Sequence, residues 1–116
     1  TYLFDPEIPG DDVGSFHSSD LWFSFETLMK CWRPFDGHHF DLARKMCNYW
    51  TNFMKTGNPN GPDADGTPMP EWKKYTPDSN CIMRLFDEIS LDEGPLSKTQ
   101  RFITDINLKA FRKDRA

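Results

Sequence analysis

The spacing of apolar side chains divides this chain into short elements separated by turn-forming runs. Tyr2, Leu3 and Phe4 are β-prone and read as a strand entered in mid-protein, and "DPEIPG" stops it, because its prolines and glycine cannot continue a sheet ladder. The loop "DDVGS" then leads to His17. After it, Ser18 or Ser19 can cap a helix with Asp20 in the first turn and Leu21, Trp22, Phe25 and Leu28 on its apolar face. Pro34 in "CWRPFDG" ends that helix. A second helix is predicted from His39 to Lys55, where Leu42, Met46, Trp50 and Phe53 recur at helical spacing and Ala43, Cys47 and Met54 widen the stripe.

Gly57 caps this helix, and "GNPNGPDADGTPMP" is a run of turn-formers that must lie on the surface. Trp72 and Tyr75 in "EWKKYTP" are expected to anchor that run to the body. Cys81 to Phe86 read as a short strand. Beyond "DEGP", Ser97 and Gln100 have the spacing of a capping box, opening a last helix with Phe102, Ile103, Ile106, Ala110 and Phe111 on one face. Two strands alone make a marginal sheet. Either the helices carry the domain, or the rest of the sheet lies on other residues.

The chain's 116 residues suffice for one domain or part of one, and its four Trp and ten Phe supply the bulk for a packed core. The net charge of −4, from 18 acidic and 14 basic residues, gives no footing for nucleic acid. Residues 97–116 depart from this balance: Lys98, Arg101, Lys109, Arg112, Lys113 and Arg115 face only Asp105 and Asp114. A solvated basic helix end accounts for them more simply than a polyanion or membrane site. No run approaches a membrane span, and no signal peptide opens the chain. Cys31, Cys47 and Cys81 are odd in number and include no C-x-x-C pair, which disfavours a disulfide framework or zinc ribbon and favours a reducing, cytoplasmic compartment.

His17 stands at a strand-to-helix junction, where α/β folds keep their chemistry. An imidazole of ordinary pKa, near ~6.5, can take and return a proton around neutral pH. To act on an ester it needs a nucleophile on one nitrogen and a carboxylate on the other. Ser15, Ser18 and Ser19 are close in sequence, yet none lies in a G-x-S-x-G elbow, so Ser18 and Ser19 read as helix-start residues. Asp20 is either a helix-start charge or a group supporting the histidine loop. His38 and His39, with Cys31, raise the question of a metal. Adjacent histidines point to different sides of a helix and the Cys-to-His spacing fits no familiar site, so both are expected at the surface and no metal is expected.

"GSFHSSDLWFSF", followed by "RPF", "YWTNFMKTGNPNGP" and "PEWKKYTP", resembles the C-terminal part of type B carboxylesterases, the α/β-hydrolase group of p-nitrobenzyl esterases and cholinesterases. The resemblance covers about residues 2–86. It implies an α/β fold: the C-terminal portion of an α/β-hydrolase catalytic domain spanning 1–116, with an incomplete sheet, mostly helices plus one or two strands. It makes His17 the catalytic histidine of a Ser-His-Glu/Asp triad. Asp20 falls on an acidic position that is usually Glu, and Glu26 on a usual Gly.

The family's serine elbow, oxyanion hole and acid precede this histidine in chain order. The partners implied are therefore the remainder of the esterase polypeptide, which bears serine and acid, and a small-molecule carboxylic ester. No cofactor is implied. Trp22, Phe23 and Phe25 are candidate walls of the substrate pocket, with core packing as the alternative. The same residues leave open a non-catalytic binding or adhesion module of the neuroligin kind, or a small helical interaction domain.

Overall fold

Pairing between the two apolar strands organises the chain. The computed structural model describes residues 1–113, so Asp114 and Arg115 of the basic tail lie outside the described residues. Strand β1, Tyr2–Phe4, lies parallel to β2, Ile82–Leu85, with Tyr2 opposite Met83 and Phe4 opposite Leu85. A third strand, β3, Ile89–Asp92, returns antiparallel to β2, giving a sheet of order β1-β2-β3. The sequence reading held only two strands. Ile89, Ser90 and Leu91, hemmed in by Asp87, Glu88, Asp92 and Glu93, resemble an acidic loop until the hairpin pairs them, and the Arg84 guanidinium donating to the Asp92 carboxylate at 2.6 Å ties the two strands across the turn.

The long crossover between β1 and β2 carries two helices. Helix α1, Leu21–Ser24, is a single turn. Helix α2, Gly37–Thr56, is five turns long and begins two residues before the expected start. Asp36 is its N-cap and accepts from the His38 N–H at 3.1 Å. His39 completes a capping box, its Nδ1 accepting from the Asp36 N–H at 3.1 Å while its Nε2 faces the Glu7 carbonyl at 3.0 Å. The ring is buried between Phe35 and Phe23, so His39 is not the surface residue that the sequence suggested. Beyond the Asp36 cap, its covering partners Glu7 and Phe23 lie outside its own helix, which spacing cannot show.

Leu42, Ala43 and Met46 of α2 enter the core with Phe23, Leu28, Met83 and Leu85, while Phe53 and Met54 are exposed rather than buried. The face is rotated toward Tyr49, which has no exposed surface and donates its hydroxyl to the Pro70 carbonyl at 2.6 Å. Burial pushes the phenol's pKa up to about 12. Gly57, at φ 76°, terminates α2, its N–H reaching the Phe53 carbonyl at 2.7 Å.

The turn-rich run is held by side chains. Asn60 accepts from the Trp72 N–H at 2.6 Å and donates to the Trp72 carbonyl at 2.9 Å, burying that indole, whereas Tyr75 stays exposed and anchors nothing comparable. Helix α3, Lys98–Lys113, opens with the expected Ser97–Gln100 box. None of its residues is buried, so Phe102, Ile103 and Ile106 face outward.

Asp63 is the polar knot of this layer. It is 5% exposed and accepts from Arg44 Nε and Nη2 at 3.0 Å each, from Asn48 at 2.8 Å and from the Ala64 N–H at 2.7 Å. The Arg44 guanidinium holds its carboxyl below the usual range, and burial only partly opposes this. A depressed folded-state pKa contributes stability that is present above the unfolded value, near ~3.9, and is lost as pH falls through the folded value. Asp63→Asn is expected to cost about 2 kcal/mol near pH 7 and to flatten the loss of stability on acidification below about pH 4, read from urea midpoints across pH.

Candidate active site

His17 sits at the tip of a turn that is fastened from behind. Ser19 lies beneath it with no exposed surface; its hydroxyl donates to the Phe16 carbonyl at 2.7 Å and accepts from the Phe16 N–H at 3.2 Å. The Ser19 N–H also donates to the Phe16 carbonyl, at 3.0 Å, closing a four-residue turn with His17 and Ser18 at its centre. Ser18 adopts φ 72°, a left-handed conformation that an L residue enters at a cost. The two serines are therefore turn residues and not helix caps. The N-cap of α1 is Asp20, whose side chain makes no capping bond.

A second fastening comes from Arg33. Its guanidinium grips the Asp11 carboxylate with two bonds, at 3.0 and 2.9 Å, and donates to the Pro9 carbonyl at 2.9 Å. The same group lies 4.8 Å from the Trp32 ring centre and 5.3 Å from that of Phe16, the residue before His17. Ser15 adds a bond to the Pro6 carbonyl at 3.0 Å. Sequence reasoning missed Arg33 as a support of this loop. The available signal was a lone arginine in the aromatic run "CWRPF", with the acidic pair "DD" of the histidine loop as its counter-charge.

The imidazole itself is exposed and has no hydrogen-bond partner among the described residues. The structure does not bring the other candidates to it through a bond. The Asp20 carboxylate is half-buried and likewise unbonded among the described residues. Trp22 is half-buried, its ring edge-on to Phe16 at 5.8 Å and to Phe35 at 6.1 Å. Phe23 is different: it is fully buried, packed on Phe4, Phe35 and His39, and has no surface left to line a pocket.

Among the described residues, Asp36, His38 and His39 bring possible metal-binding atoms within 4.8 Å of one another. Hydrogen bonds already account for them. Both ring nitrogens of His39 are engaged, and His38 lies between the Asp36 carboxylate and Asp87, the latter at 3.1 Å. This is a helix-start network joined to the β2–β3 turn.

After Phe23, α1 ends in a Schellman turn: the Thr27 N–H reaches the Trp22 carbonyl at 2.8 Å and the Glu26 N–H the Phe23 carbonyl at 3.1 Å. Glu26 takes the left-handed position of that motif, with φ 51°. The helix therefore stops here, short of the expected continuation through Leu28, which sits instead in a separate 3-10 turn, Leu28–Lys30.

The family model described as "Carboxylesterase family" matches residues 1–103. The chain belongs to the carboxylesterase family. Among its relatives, carboxylesterase 4A of Bos taurus is 32% identical over 91 residues, covering 70% of this chain and 14% of that protein. The acetylcholinesterase of Gallus gallus is 32% identical over 73 residues, covering 63% of this chain and 9% of its own length. In fold, this carboxylesterase chain matches a thermophilic PNB esterase with a TM-score of 0.69 at 24% identity, over 86% of this chain and 20% of the other. The architecture is thus part of an α/β-hydrolase fold. The chain spans between 9% and 20% of the length of such relatives.

Glu26 holds a left-handed backbone, the conformation that glycine adopts without a side-chain penalty. The conformation costs a non-glycine residue about 1–2 kcal/mol, and glycine returns about 0.4–1 kcal/mol through unfolded-chain entropy. Glu26→Gly is therefore expected to raise stability by about 0.5–1 kcal/mol, measured as a higher urea midpoint at unchanged slope. A lower midpoint would show that the glutamate side chain contributes more than its backbone strain costs.

Proposed function

We propose that this chain is the histidine-bearing C-terminal part of a serine carboxylesterase, and that His17 is the general base of its triad. One observation carries the reading: an exposed, unengaged imidazole follows β1 in the chain, on a turn whose backbone is locked by Ser19 and whose Phe16 is flanked by Arg33. A surface histidine without a task has no need of such support. A base has, since proton transfer requires the ring within hydrogen-bond reach of its partner.

The serine and acid come from the remainder of the polypeptide. His17 takes the serine proton as the hydroxyl oxygen attacks the ester carbonyl, and returns it to the departing alcohol, leaving an acyl-enzyme. It then takes a proton from water, whose oxygen attacks the acyl carbon, and returns that proton to the serine. The acid holds the imidazole in the required tautomer, and no organic cofactor is called on. Asp20 is a supporting group beside the loop. Trp22, half-buried next to Phe16, and the exposed Phe25 are the candidates with surface left to meet the substrate. The 116 residues alone are inactive in this reading, holding the base without its serine or acid.

In the full-length polypeptide, His17→Ala is expected to lower ester turnover by about four to six orders of magnitude, with labelling by a serine-reactive fluorophosphonate falling in parallel. Near-normal turnover and labelling would exclude the triad role of His17, whereas no turnover or labelling in the unmodified full-length polypeptide would leave the non-catalytic binding module as the reading.

A further inference from the structure

Two structural demands meet in the turn-rich run after α2 and leave the chain's one Asn-Gly pair there, Asn60 and Gly61. The first is a clamp. Asn60 Oδ1 accepts from the Trp72 N–H at 2.6 Å, while its Nδ2 donates to the Trp72 carbonyl at 2.9 Å and to Asn58 Oδ1 at 3.0 Å. A carboxamide can serve a backbone N–H and a backbone C=O at once from a single planar group. The second demand is close passage over Asn52. A Cβ at Gly61 would lie 2.7 Å from Asn52 Nδ2, which itself donates to the Pro59 carbonyl at 3.2 Å.

Such a pair carries a latent reaction. The backbone nitrogen after an asparagine can attack the side-chain Cγ, and glycine, lacking a Cβ, leaves that nitrogen unshielded and its backbone free to bend into a ring. The Gly61 N–H makes no hydrogen bond among the described residues. As the N–Cγ bond forms, the nitrogen gives up its proton, the Cγ–Nδ2 bond breaks and Nδ2 leaves as ammonia. Water then opens the five-membered succinimide at either carbonyl, giving aspartate or isoaspartate. Ring closure consumes Nδ2, so both of its bonds have to break first. Asn58 is exempt, because the nitrogen of Pro59 has no proton to lose.

We propose that Asn60 is a site of spontaneous deamidation, gated by opening of its clamp on Trp72, and that the change loosens this layer irreversibly. A carboxylate in the same place still accepts from the Trp72 N–H. Its second oxygen, however, meets only acceptors, the Trp72 carbonyl and Asn58 Oδ1, and the clamp cannot re-form. Trp72, 9% exposed and edge-on to Tyr49 at 5.3 Å, then loses the bonds that hold its backbone in place. None of these groups is part of the His17 turn, and the reaction is independent of the esterase reading.

Peptide mass spectrometry on the full-length polypeptide, incubated at mildly alkaline pH both folded and in denaturing urea, tests this. In urea Asn60 is expected to convert ahead of the other asparagines of this chain, with Asn58 of the same peptide unchanged. In the folded protein the conversion is expected to be about 100-fold slower or more, since only the locally opened form reacts. Equal rates in the two states, or conversion of Asn58 alongside Asn60 in urea, would overturn the proposal. This comparison needs no variant. Asn60→Asp then reads the consequence: its urea midpoint is expected to fall, with a folding constant about tenfold lower near pH 7. The deficit relative to the native protein is expected to shrink below about pH 4, where a protonated carboxyl can again donate to the Trp72 carbonyl. Glu71, Lys73 and Lys74 border the same groove in both proteins and cancel in that difference. A native midpoint for Asn60→Asp would overturn the loosening.

Discussion

The parallel pairing of β1 with β2 is the constraint on which the rest of this structure depends. It joins Tyr2 to Met83 and Phe4 to Leu85, and so makes everything between them one crossover connection. Helix α2 is long enough to bury one face of the sheet, and it does so with Leu42, Met46 and Tyr49 against Phe23, Met83 and Leu85. The turn-rich run after Gly57 then has to be drawn in. Asp63 and Asn60 do this with charge-assisted and amide hydrogen bonds, because the segment offers little apolar surface beyond Met69 and Trp72.

The histidine turn obeys a different economy. Its residues contribute almost nothing to the core, and two neighbours, Ser18 and Glu26, hold left-handed conformations that side chains disfavour. Local backbone strain persists only where surrounding bonds over-determine it. Those bonds are visible: the Ser19 hydroxyl on both sides of Phe16, the Schellman turn after Phe23, and the Arg33 grip on Asp11 with its face against aromatic rings. Rigid backbone and a free side chain are what proton transfer asks of a base.

Much of this was legible in the sequence wherever a local rule decides the outcome. β1, β2, the body of α2, the Gly57 cap and the Ser97–Gln100 box all follow from spacing or capping chemistry within a few residues. What escaped depends on partners distant in the chain. Tyr49 lies off the counted apolar stripe and is buried because Pro70 accepts its hydroxyl; His39 is buried because Glu7 and Asp36 satisfy it. β3 exists because β2 offers it an edge, and Arg33 matters because Asp11 lies opposite. The position of His17 was clear from its motif, whereas the fastening beneath it needed coordinates.

The pairing of β1 with β2 also has a consequence in time. A ribosome releases Tyr2 long before Met83, and at about 5–20 residues per second the wait lasts on the order of 4–16 s. In its last third the histidine turn and α2 are already outside, with Phe23 and Met46 lacking the strand that later covers them. Collapse of such chains takes microseconds, so a transient, strandless form is the ordinary state of this segment during its birth. The strand that follows the crossover, and not the residues before it, decides when the histidine turn is set in place.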